Sequence, residues 1–355
     1  MTSRVLTGLL ASLLLLVSGC KEPDGTSGGT SGVALYTFDS TTSEVFVWKD
    51  LNTVYDSTTT PAPSYQITSS LFSKVTNLAW GGLAFDSQRG TLYLVSDAGT
   101  IVRVSNIRAQ SGTVPNGEVV SFSLSSTGRL TNGKFGQIAL DASNDTLFIT
   151  ENGDNSTQIW VVAGASAQTQ DATVTLQALT MSGDTGGTGV AAASGSVYAF
   201  FKDGGTVGID ALTGPRLRKG TASTFDPTRV ILGDKTTLGV YGALAFDYGN
   251  GNLYVARHNT DASSTAQPIQ VFTAGMFGST YNVAPYKTLG SAASQADLRV
   301  LAHPGTKDWL VGLGTTASST IYIWKSPLGG TDAKVVVVSP TASVFKGIAV
   351  DGNAS

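Results

Sequence analysis

Gly242-Ala243-Leu244-Ala245-Phe246-Asp247 decides the fold, because its second half recurs along the chain: Leu83-Ala84-Phe85-Asp86, Ile138-Ala139-Leu140-Asp141 and Ile348-Ala349-Val350-Asp351. Two degenerate copies fall between them, Val190-Ala191-Ala192-Ala193 and Val300-Leu301-Ala302-His303. The fourth positions are 86, 141, 193, 247, 303 and 351, so the steps are 55, 52, 54, 56 and 48 residues. A period this regular is the mark of a repeat architecture.

Each copy runs on through a turn into an apolar pair: Leu92-Tyr93, Leu147-Phe148, Val197-Tyr198, Leu253-Tyr254 and Trp309-Leu310. Third strands are expected at 101–104, 159–162, 207–209, 269–272 and 321–324, and fourth strands at 119–124, 174–179, 230–232, 286–289 and 335–338. Four short antiparallel strands per unit make one propeller blade. The last copy stops after its first strand, and the missing strands lie at the other end of the chain, in Leu35-Tyr36, Val45-Phe46-Val47-Trp48 and residues 64–67. The expected fold is therefore an all-β, six-bladed β-propeller over 33–355, whose sixth blade joins N-terminal strands to the C-terminal strand. Such closure hides edges that an open array leaves unpaired. Ala84, Ala139, Ala191, Ala245 and Ala349 stand at the centre of the first strands, with Leu301 the exception. Small side chains suit strands that converge on one axis.

Phe345-Lys346-Gly347-Ile348-Ala349-Val350-Asp351, and Gly242 to Asp247 followed by Gly251-Asn252-Leu253-Tyr254-Val255, resemble NHL-repeat and gluconolactonase-like six-bladed propellers. The resemblance implies a fold rather than a reaction, since propellers host many functions. Gluconolactonase-like propellers hold a divalent metal in the central channel with one Glu and Asn/Asp side chains. Glu151 is the residue that could match such a position.

The ends of the chain set the compartment. Residues 1–19 hold one positive charge, Arg4, and then an apolar run too short for a comfortable membrane span, which is a signal-peptide layout. It closes on Val17-Ser18-Gly19-Cys20, which resembles a bacterial lipobox. Cys20 is the one cysteine in 355 residues, so it is the expected acceptor of a fatty acyl chain such as palmitate. Residues 20–32 continue as a Gly/Ser/Thr tether without apolar residues beyond Pro23. Lys21 after the cysteine, by resemblance to other lipoproteins, implies the outer membrane. The mature chain keeps 21 basic residues, the 22 of the whole chain less Arg4, against 25 acids, a balance of −4. That surface has no attraction for nucleic acid. The expected partners are the membrane, through the lipid, and a protein, peptide or glycan ligand.

Candidate site residues divide into bland and sharp readings. Asp86, Asp141, Asp247 and Asp351 end first strands, where a carboxylate bonds the backbone of the following turn, and His303 inherits that slot. His258 lies near the opposite mouth beside Arg257, Asn259 and Asp261. No nucleophile marks it as catalytic, and it is carried as a ligand-binding candidate. Glu151-Asn152-Gly153-Asp154-Asn155-Ser156 clusters oxygen ligands but lacks EF-hand spacing, leaving Glu151 and Asp154 as candidates for a divalent cation such as calcium. The GxSxG match at 25–29 lies in the tether, the loop at 128–135 carries Phe135 where a phosphate loop needs Ser or Thr, and the basic cluster at 215–219 reads as solvated surface. Trp80, Phe135, Tyr241 and Phe345 share one slot ahead of four first strands, with Gly187 and Asp297 in the other two. They are either wedges between blades or an aromatic collar that holds a ligand. Two functions follow: a surface-tethered binding module, and a metal-dependent hydrolase of the lactonase kind. Acids facing the channel would favour the hydrolase, and a wall of small residues the binder.

Overall fold

A computed structural model describes residues 32–354 apart from 155, 175–176, 182–188, 194–195, 204–205, 214–222, 225–228, 233–237, 239–240, 259–268, 274–275, 277–281, 291–297, 306, 315–319, 330–333 and 338–343. The expected signal peptide, Cys20 and most of the expected tether, like Gly187, Asp297 and the basic cluster at 215–219, lie outside the described residues.

The described chain is built almost wholly of strands, arranged as a propeller-like ring of small sheets. Hydrogen bonding divides them into six sheets. Five blades are delineated, one fewer than the repeat predicts. Repeat 1 runs outward through Leu78–Asp86, Thr91–Ser96, Thr100–Val104 and Val119–Leu124. Repeats 2 to 5 begin with Lys134–Asp141, Val190–Ala193, Tyr241–Asp247 and Leu298–Ala302. In the closing sheet the strand Gly32–Asp39 pairs on one side with Glu44–Trp48 and on the other with Ile348–Ala354. Leu35 stands opposite Val350, and Gly32 opposite Ala354. The two ends of the chain thus share one sheet.

Burial follows position in the sheet. Thr91–Ser96 is buried at every residue, because neighbouring sheets cover both its faces. Val119–Leu124, further out, alternates and leaves Val120 and Ser123 partly exposed. Each space between sheets is filled by apolar side chains from two repeats; Tyr93, Phe122 and Phe135 share one cluster with Trp160. Recurrent rings staple successive repeats on the underside: Tyr36 stacks on Phe85 at 5.0 Å, and Tyr198 on Phe246 at 5.1 Å.

The four-strand expectation needs one correction. Gly112–Thr113 pairs in parallel with Tyr65–Thr68, Thr173–Val174 with Val119–Leu124, and Ser223–Thr224 with Gln177–Met181. In each case the connection between third and fourth strands of one repeat lends two residues to the outer edge of the sheet before it. An outer strand would otherwise present a free row of N–H and C=O groups. One more connection uses a helix: Leu51–Asp56, capped by the Asp50 side chain on Asn52 N, lies against Lys334–Val337, and Lys334 donates to the Tyr55 and Ser57 carbonyls.

The four aspartates are turn residues, as expected. Each is at least 97% buried. Asp86 accepts from the Gln88 and Arg89 amides at 2.9 and 3.0 Å, and Asp247 from those of Gly249 and Asn250 at 2.9 and 3.0 Å. Asp141 and Asp351 do the same with Ser143 and Asn353.

Candidate functional site

The first strands enclose an axial cavity of about 120 Å³. Ala84, Ala139, Ala191, Ala245 and Ala349 line it, together with Leu301, as their repeated position demands. Among the described residues the lining contains no carboxylate. The convergence is close enough that a Cβ at Gly189 would strike the Gly242 carbonyl oxygen.

Three β-bulges shape the upper mouth, where loops join one repeat to the next. The register slips between Leu78 and Leu83 in repeat 1, opposite Ile149 to Glu151 in repeat 2, and between Leu298 and Val300 in repeat 5. A bulge re-aims the side chain it carries. In repeat 2 it sends Gln137 across the axis, where Nε2 donates to the Leu244 carbonyl at 2.9 Å and Oε1 accepts from the Leu244 amide at 3.4 Å. Gln137 is 5% exposed and packs on Gly81, whose φ of +76° and tight space favour glycine. In repeat 1 the bulge carries half-buried Trp80 over to repeat 5, where the Arg299 guanidinium lies 5.0 Å from its ring centre. Tyr248 lies at the underside, 43% exposed as a residue, with its hydroxyl turned in to donate to the Ala192 carbonyl and lying 3.3 Å from that of Leu140. Desolvation, with smaller effects from Asp141 and Asp86, pushes this hydroxyl far above the usual tyrosine range, so it stays a donor.

The aromatic slot splits. Phe345 has no exposed surface and meets Phe46 edge-on at 6.0 Å. Phe135 is 3% exposed, edge-on to Trp160 at 5.4 Å and packed on Gly99 of repeat 1. These two rings are placed as wedges between blades, the first of the two readings; Trp80 alone of the described side chains in the slot keeps a partly open ring. The side chains of Tyr241 and His258 lie outside the described residues, though their backbones are cross-strand neighbours.

Glu151 is a second correction. It has no exposed surface, and its oxygens already accept from Arg129 Nε at 3.1 Å, Gln158 Nε2 at 2.5 Å and Trp160 Nε1 at 2.7 Å. A hard cation needs several free oxygens, and this carboxylate instead pins the loop at 128–133 to repeat 2. Asp154 is exposed and accepts from Asn132 Nδ2 at 2.8 Å. The pair does not fit a metal. Among the described residues no group of three or more His, Cys, Asp or Glu side chains is placed to hold one. Sequence reasoning missed Gln137 and Arg299. Their signal was available: they occupy the slot four before the strand-ending residue, where the other repeats have Gly82, Gly189, Ala243 and Gly347.

His303 takes the turn role of its aspartate siblings. Its Nδ1 accepts from the Gly305 amide at 3.1 Å, and its ring stacks on Tyr254 at 5.5 Å.

No family model matches the chain, and neither does any curated protein. Among solved structures it is similar to a chain in a crystal structure of a nidogen/laminin complex, with a TM-score of 0.56 and 15% identity over 90% of this chain and 98% of that one. A chain in a mitotic checkpoint complex matches at a TM-score of 0.41 and 12% identity, over 72% of this chain and 64% of that one. At such identity the nidogen/laminin likeness shows the propeller fold alone.

Proposed function

We propose that this chain is a bacterial envelope lipoprotein, cleaved before Cys20, acylated there and held at the outer membrane, whose six-bladed propeller is a binding module. The six hydrogen-bonded sheets support the blade number. The signal-peptide layout, the single cysteine and the Gly/Ser/Thr tether support the anchor. The observation that carries the binding reading is the axial wall of alanine and aliphatic side chains, bordered by Gln137 above and Tyr248 below. A lactonase-like centre needs carboxylates from several blades around the axis, and the described residues of this lining supply none. Binding then falls to the upper mouth, where Trp80 offers a half-open ring beside Arg299. A rigid aromatic and an arginine are the side chains most often found anchoring ligands and partners. That the similar chain comes from a protein–protein complex is in keeping with an interaction module.

Cell fractionation with a labelled fatty acid tests the anchor: Cys20→Ser should carry no label and leave the membrane fraction. Glycan and peptide arrays probed with the propeller test the module, and Trp80→Ala should keep the fold while losing the signal. Lactone hydrolysis that a chelator abolishes would sink the binding reading.

A further inference from the structure

We propose that His303 is an acid-sensitive latch, and that its protonation releases Tyr248 from the underside end of the axial cavity. The inference does not depend on the ligand of the upper mouth.

The hydrogen bonds assign the resting state of the ring. Nδ1 accepts from the Gly305 amide, so it carries no proton, and the neutral imidazole is the Nε2–H form. That Nε2–H is buried with no hydrogen-bond partner, and its nearest carboxylate oxygen, Asp247 Oδ2, stands 3.9 Å away. The pocket is therefore in tension between two geometries. In the neutral one, Nδ1 holds the turn. In the protonated one both nitrogens donate, the Nδ1···H–N contact to Gly305 becomes repulsive, and the cation gains an ion pair by moving toward Asp247. A proton from solvent is the one reactant, added at Nδ1.

The charged and titratable groups around the ring favour neither extreme. Asp247, from the turn of repeat 4, and Asp308, on the segment following His303, draw a proton onto the imidazole, while burial works against it more strongly. Tyr254 covers one face, and its hydroxyl is buried with no hydrogen-bond partner. The balance holds His303 down at about 4 from an ordinary value of 6.5. The unfolded chain binds the proton from about 6.5 downward and the closed turn only near 4, so acid works against the closed turn across that window and adds nothing further below it.

The turn it holds is the support of the lid. Gly305 has φ of +83°, and a Cβ there would lie 3.2 Å from the Tyr248 ring. The Gly305 carbonyl accepts from the Gly249 amide at 3.2 Å, next in chain to Tyr248. Tyr248 in turn reaches across the axis to the Ala192 and Leu140 carbonyls, and both it and His303 line the cavity. Loss of the Nδ1 contact thus acts on the segment that backs the Tyr248 ring.

The other repeats supply the control. Asp86, Asp141, Asp247 and Asp351 hold the same turn position with a carboxylate, so His303→Asp should keep the turn through the window in which histidine lets go. The full chain, labelled with ¹⁵N-histidine, is titrated from neutral pH to pH 4 while hydroxyl-radical footprinting reads tyrosine reactivity. Tyr286, well exposed, serves as the reference, and the fully buried Tyr93 and Tyr254 report unfolding. Tyr248, 43% exposed at rest, should gain about twofold in reactivity in step with His303 protonation, with Tyr93 and Tyr254 still protected, and His303→Asp should remove the step. A flat Tyr248 response during His303 titration, a step that survives in His303→Asp, or exposure of all the buried tyrosines together would each overturn the latch.

Discussion

Phe345 fills the space between repeat 5 and the closing sheet, among Phe46, Trp309 and Ile348, with none of its surface in solvent. Phe135 does the same between repeats 1 and 2. Replacing either by Ala leaves a cavity that close-packed neighbours fill only in part, at about 3–5 kcal/mol. Trp80→Ala at the same slot should cost clearly less, because its ring is half open and its bulge already stands outside the ladder. Urea unfolding of the three variants measures this order directly; equal losses would return Trp80 to the wedges and empty the upper mouth of its candidate. The slot itself was legible as a recurring aromatic, since periodicity marks position along a strand. Direction was not legible there, because one extra residue in a bulge turns a side chain from an inter-sheet space toward the axis. Glu151 was misread for a related reason. An acid among Asn, Gly and Asp looks like an open oxygen cluster until Arg129, Gln158 and Trp160 are seen folded onto it.

The connections between third and fourth strands add a second tie from one repeat to the one before it. In repeat 1 this connection contains the 3₁₀ turn Ile107–Ala109, entered through Asn106 at φ +48°, and it carries Arg108 to the closing sheet. Arg108 grips Asp351 through Nε at 2.6 Å and Nη2 at 2.7 Å, and Nη2 also donates to the Ser87 carbonyl at 2.7 Å. Asp351 has no exposed side-chain surface and Arg108 only 29%. Removing the guanidinium strands a buried carboxylate that keeps the Asn353 amide as a donor. Arg108→Ala should therefore cost roughly 3 kcal/mol, and Arg108→Lys should recover only part of it, since an ammonium cannot reproduce the two-pronged contact. Thermal melts of both variants check the order. None of this was visible in the sequence. Gly112-Thr113 is too short to show a period, and a salt bridge between residues 108 and 351 has no local signature. The inner strands were visible because six copies repeat one apolar pattern at nearly constant spacing.

At the scale of the whole molecule, the closing sheet makes the order of the chain less important than its pairing. Gly32 stands opposite Ala354, so the ends of the folded chain lie side by side. Deleting residues 32–50 removes the partner of Ile348–Ala354 along with the helix cap at Asp50, and it uncovers Phe345, Ile348 and Val350, which share a buried cluster with Val33, Leu35 and Trp48. The open edge should then propagate, giving a protein that aggregates or melts far below the parent. A circular permutant separates this cause from mere loss of residues. Joining Ser355 to Gly32 through a short glycine-rich linker, and opening the chain between Ser126 and Thr127, keeps every strand pair and cuts an exposed loop joining repeat 1 to repeat 2. The cut forfeits the Thr127 amide contact with Ser125 Oγ at 3.0 Å, a surface bond of small net value. If closure rests on pairing, the permutant should fold and melt close to the parent while the deletion fails. A permutant as unstable as the deletion would mean that the native order of the chain, with its unbroken link from repeat 1 to repeat 2, rather than the shared sheet, holds the ring together.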